Sequence, residues 1–128
     1  MDFDKLKSND EKLRIIQETV PGKQITLSHI IANPDKLLYR KLGLDPSVEY
    51  GSTAIGILTL CPSETAIIAA DICTKESASR LGFVDRFSGT VIITGTVSEV
   101  EASLKAVNEY CKSRLGFAVC EITKTWKK

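Results

Sequence analysis

The chain has 128 residues, 43% hydrophobic and 26% charged, with 17 Lys and Arg against 16 Asp and Glu for a formal net charge of +1. This length predicts one domain, which buries roughly two-thirds of its unfolded surface around a single core. The near-neutral balance argues against a general nucleic-acid or anionic-membrane binder, and no apolar run approaches the roughly 20 residues needed to span a bilayer.

Residues 1–13 carry both charge signs and few apolar anchors. They read as a flexible tail without the apolar stretch of a secretory signal, so a cytosolic protein is expected. A single domain is expected over residues 14–124, with 125–128 as a short basic tail ending in Lys127 and Lys128. Its first element is a β-like run, Arg14, Ile15, Ile16, Gln17, Glu18, Thr19 and Val20, stopped by Pro21-Gly22. Residues 25–31 fit two patterns. Ile25, Leu27, His29 and Ile31 alternate as in a strand, while Leu27, Ile30 and Ile31 suit a helical turn. Pro34 then opens a short helix reaching Leu42, with Gly43 as its stop, and residues 45–52 form a loop.

Residues 53–60 predict a buried strand. Pro62, Ser63 and Glu64 start a helix whose face of Ala66, Ala69, Ala70 and Cys73 is small enough for another backbone to approach closely. Two short strands, 80–84 and 90–94, are joined through residues 85–89, and Gly95 ends the second. For the next helix, Ser98 reads as the N-cap with Glu101 completing a capping box. Its apolar stripe is Val100, Leu104, Val107 and Cys111, and Gly116 closes it. Residues 117–123 return as a strand. The order from Thr53 onward is thus β-α-β-β-α-β, an α+β sandwich with helices on one face of a mainly antiparallel sheet.

Chemistry is sparse. The single histidine, His29, sits among isoleucines and leucines and reads as structural. Cys61, Cys73, Cys111 and Cys120 lack the spacing of a zinc knuckle or redox pair and read as small buried hydrophobes. The stretch Pro21-Gly22-Lys23-Gln24 fails as a phosphate loop: Gln17 stands where its first glycine belongs, and Gln24 replaces the Ser or Thr that holds magnesium. No dinucleotide fingerprint follows a strand. Asp71, in a helix of isoleucines and alanines, reads as a helix-face carboxylate paired with a neighbouring cation. No catalytic set, metal site or cofactor is predicted. The turn holding Asp85, Arg86, Phe87, Ser88 and Gly89 is poor core and poor catalytic material; by itself it reads as an ordinary exposed turn.

Ala69-Ala70-Asp71, then Lys75, then Gly82-Phe-Val-Asp-Arg-Phe-Ser-Gly89 resembles the corresponding helix, lysine and hairpin of bacterial microcompartment shell proteins. The N-terminal pieces, Arg14-Ile-Ile-Gln-Glu18, Val20 to Leu27, His29, Asn33-Pro34 and Lys41-Leu-Gly43, resemble the circularly permuted subclass of the EutS/PduU type. The resemblance covers about residues 14–124. It implies a permuted, ferredoxin-like BMC domain that assembles as cyclic homohexamers tiling a shell, alongside other shell proteins and enclosed enzymes. It implies that Lys75 lies at the hexamer edge and that Asp85, Arg86, Phe87, Ser88 and Gly89 line the central pore. It also implies that residues 14–20 of six copies build a parallel β-barrel capping that pore. Asp85 and Phe87 stand where ordinary members have lysine and glycine, which argues against an open metabolite channel. A bare strand at 14–20 agrees, because ring closure removes its unpaired edges. The competing reading is a small-ligand-binding regulatory module, since β-α-β-β-α-β is also the plan of sensor domains.

Overall fold

A computed structural model describes residues 22–44 and 53–125. The expected strand at 14–20, the loop at 45–52 and both outer ends of the chain lie outside the described residues.

The ambiguous segment is a strand, β1 (Gln24–Ala32). Its buried residues are Ile25, Ser28, Ile30 and Ala32. The first interval of three comes from a register shift between Ile25 and Leu27 against the neighbouring strand. One extra residue in a strand breaks the period of two locally, which puts Ser28 rather than Leu27 on the buried face. The short helix follows as α1 (Lys36–Lys41). Its N-cap is Asp35, whose carboxylate accepts the Leu37 N–H at 2.9 Å. Gly43, just past its end, has φ +77°.

The central strand β2 (Ala54–Cys61) pairs antiparallel with β1 on one side and with β4 (Thr90–Gly95) on the other. Beyond β4 lies β3 (Arg80–Asp85), and beyond β1 lies β5 (Thr123–Thr125), which runs parallel to β1. Among the described residues these strands form one sheet of order β3-β4-β2-β1-β5. One face carries the helices α2 (Thr65–Glu76) and α3 (Val97–Arg114). Ile30, Leu58, Leu60, Val91 and Ile93 of the sheet meet Ala66, Ala69, Ala70 and Cys73 of α2 there. The expected stripe of α3, Val100, Leu104, Val107 and Cys111, is wholly buried in the same cluster. Gly56 permits the close approach of α3: a Cβ there would lie 2.6 Å from Val100 Cγ1.

The helices α2 and α3 share one face, as expected for the chain from Thr53 onward, and α1 lies on the opposite side, where Tyr39 and Leu44 bury against Ile55. That side of β2 is isoleucine as well, so both sheet faces require cover. Two expectations need correction. The cap of α3 is Thr96 rather than Ser98. Thr96 Oγ1 accepts the Glu99 N–H at 3.2 Å, and the Glu99 carboxylate accepts the Thr96 N–H at 3.0 Å. Both pairs fit the motif of hydroxyl then Glu three residues on; Thr96 wins because β4 ends at Gly95 and the helix begins at once. Finally, residues 117–122 are not a continuous strand. Ala118 makes one isolated bridge to Gln24, and Phe117, Val119, Cys120 and Ile122 pack on the core from an irregular connection. Among the described residues after Gly116, only Thr123–Thr125 enters the ladder.

Candidate functional site at the hairpin tip

The strands β3 and β4 meet at residues 86–89, and a hydrogen-bond network braces this turn. Asp85 Oδ1 accepts the Phe87 N–H at 2.9 Å, and Asp85 Oδ2 accepts the Ser88 hydroxyl at 2.9 Å. The Gly89 N–H donates to the Asp85 carbonyl at 2.8 Å. These are the turn-forming habits of Asp and Ser. The bond from Phe87 and then that from Ser88 hold the Asp85 carboxyl below its ordinary value. Gly89 anchors the far side: its carbonyl accepts the Leu60 N–H at 2.9 Å, and its φ is +77°. A Cβ on Gly89 would sit 2.2 Å from the Leu60 carbonyl oxygen, so glycine is required both for conformation and for space.

This brace carries an aromatic ring into solvent. Phe87 is 79% exposed, and the Arg86 guanidinium lies 4.8 Å from its ring centroid. Beside it opens a cleft of about 380 Å³ lined by Ile67, Val84, Asp85, Arg86 and Phe87. Leu81 and Phe83 add exposed apolar surface along β3, an edge strand interrupted by a register shift between these two residues. Bulges and irregular edges discourage direct strand addition, so this border is suited to side-chain contacts. Ile67 and Val84 were not singled out in the sequence. The signal was present for Ile67, which lies off the α2 stripe of Ala66, Ala69, Ala70 and Cys73 and so belongs to the solvent side.

The remaining candidates separate from the tip. Lys75 is on the outer surface of α2, where its ammonium lies 3.0 Å from Asp71 at i,i+4 with both side chains well exposed. Asp71 therefore has the cation partner expected for it. A cleft of about 600 Å³ between the C-terminal halves of α2 and α3 includes both residues, with Tyr110 and Arg114 on its other wall. The imidazole of His29 contacts the hydroxyls of Thr123 and Thr125, clasping β1 to β5. Cys73 and Cys111 are buried, and desolvation pushes their thiols up to about 12 and about 11. Cys61 and Cys120 are only partly buried, short of the burial expected for them. Among the described residues no group of His, Cys, Asp or Glu converges as a metal site, and no helix is long and apolar enough to cross a membrane. Residues 14–20 lie outside the described residues.

One mixed sheet, a two-helix layer and a braced, protruding hairpin make this an α+β domain of BMC type, and the BMC domain family matches residues 54–123. The microcompartment shell protein PduU of Salmonella typhimurium is 54% identical over 112 residues, covering 88% of this chain and 93% of that protein. A solved structure described as a CutR flat hexamer is 50% identical, with a TM-score of 0.75 over 88% of this chain and 99% of its own. A CutR screw is 48% identical, with a TM-score of 0.73 over 82% of this chain and 100% of its own. The chain belongs to the BMC domain family of bacterial microcompartment shell proteins and is of the EutS/PduU type.

Proposed function

We propose that this chain is a structural shell subunit that catalyses no reaction and acts by assembling into a cyclic homohexamer. Around the sixfold axis the tips bearing Asp85, Arg86, Phe87, Ser88 and Gly89 line the pore. Residues 14–20 of the six copies form a parallel β-barrel that caps it, and Lys75 sits at the outer edge where hexamers meet. The hexamers tile with other shell proteins around enclosed enzymes, within the bacterial cytoplasm.

The observation that carries this reading is the tip itself. A phenylalanine 79% exposed to solvent is held there by a turn whose carboxylate is committed to bracing it. Within one chain nothing is gained by fixing an apolar ring in water; between copies a fixed ring binds with less loss of freedom. The flat-hexamer relative supports the ring.

The circular permutation draws support from the sheet. β1 fills the place between β2 and β5, yet precedes the family match, which begins at residue 54. An interior strand supplied from outside the matched span is what a rearranged chain order would produce.

The test is the mass of the full chain in solution. Six copies are expected at micromolar concentration, and a monomer there overturns the reading. For the cap, removal of residues 1–22 is expected to leave hexamers with an open axis; a pore still occluded in the truncated ring refutes the barrel.

A further inference from the structure

We propose that Phe87 of one copy seats in the Ile67–Val84 cleft of the next, a head-to-tail knob-and-hole contact that joins neighbouring tips. This deepens the ring reading above and rests on it. Four observations carry the contact. The knob, Phe87, is the most exposed of the large apolar side chains among the described residues, at 79%. The hole lies beside it, a cleft of about 380 Å³ with Ile67 54% and Val84 38% exposed. Neither is loose: Asp85 and Gly89 hold the turn, and Ile67 and Val84 belong to α2 and β3.

The rim supplies the fourth. Asp85 and Arg86 border the same cleft. A tip bearing one acid and one base is the electrostatic complement of another tip turned head to tail, whereas an anionic membrane or nucleic acid favours net positive charge. The occupant is therefore a second copy of this chain. The knob and the Ile67–Val84 floor of the hole are different parts of one surface, with the receiving copy's own Phe87 as one wall of the hole, so the contact is heterologous. Such contacts close into rings when the rotation permits and otherwise propagate as open helices.

The experiment uses the full chain. Phe87→Ala is expected to raise the concentration at which rings dissociate by on the order of tenfold or more, as for the loss of an interface aromatic. Its melting as an isolated subunit should match the parent, since the ring is exposed. Phe87→Leu, which keeps an apolar knob, is expected to restore most of the loss.

Ile67→Cys with Phe87→Cys, in a background of Cys61→Ser and Cys120→Ser, should give a disulfide ladder up to the hexamer under an added thiol oxidant. Each copy then bonds the next. Phe87→Cys alone that forms dimers as efficiently overturns the knob-and-hole contact, because it places the rings face to face. Unchanged dissociation of Phe87→Ala with no ladder also overturns it, while leaving the hexamer standing. A wild-type monomer fails the ring reading and this contact together.

Discussion

The layer between α2 and α3 and the tip of the β3–β4 hairpin use apolar residues in opposite ways. In the layer, Leu104, Val107 and Cys111 of α3 and Ala69 and Cys73 of α2 are hidden within one chain. A serine cluster there is satisfied internally: the Ser77, Ser79 and Ser103 hydroxyls bond one another and the Glu99 and Cys73 carbonyls. At the tip, Asp85 and Ser88 are likewise hydrogen-bonded within the turn, yet Phe87, Ile67 and Val84 remain in water. The fold accounts for the first region, and the proposed ring would account for the second.

The widest separation between the regions should appear on truncation. Leu104→Ala is expected to cost about 2–5 kcal/mol of subunit stability, the range for a buried leucine. Phe87→Ala should change it by less than about 0.5 kcal/mol, as at exposed sites. Denaturant unfolding under dissociating conditions measures both, and similar losses would erase the distinction. Gly89→Ala probes the join between the tip and the core. It forces a side chain into φ +77° against the Leu60 carbonyl, so a loss of about 1–3 kcal/mol is expected.

A smaller effect sharpens the account of α3. Thr96→Ala should cost about 1 kcal/mol, whereas Ser98→Ala should cost less than about 0.5 kcal/mol. The reverse order would reinstate the cap read from the sequence. The Asp85 brace should show in acid. Its folded pKa lies below the ordinary 3.8, so its contribution is present above that pH and fades as pH falls through the lowered value. Asp85→Asn is expected to flatten this limb of the stability profile; an identical limb in the variant removes the brace. Smallest of all is Lys75→Ala in the subunit, within about 0.5 kcal/mol because its partner Asp71 is exposed. The same substitution should weaken the formation of extended sheets by electron microscopy while sparing hexamers, and normal sheets would remove Lys75 from the proposed edge.

Much of the candidate site is legible without coordinates because it is local. Asp85, Ser88 and Gly89 form a turn through contacts within a few residues. Asp71 and Lys75 find each other along one helix turn. Ile67 escaped notice because its importance depends on Val84 and Phe87 being brought beside it from another element.

The same boundary runs through the whole fold. Sequence by itself determined the hairpin, the small face of α2 and the buried stripe of α3, since periodicity and turn chemistry act over short spans. Tertiary structure decided that residues 24–32 are an interior strand, that α1 covers the opposite face, that Thr96 rather than Ser98 caps α3, and that of residues 117–125 only 123–125 form a sheet strand. Each of those outcomes depends on which distant backbone supplies the partner. A register shift or one irregular connection then redirects side chains in a way that spacing alone does not encode.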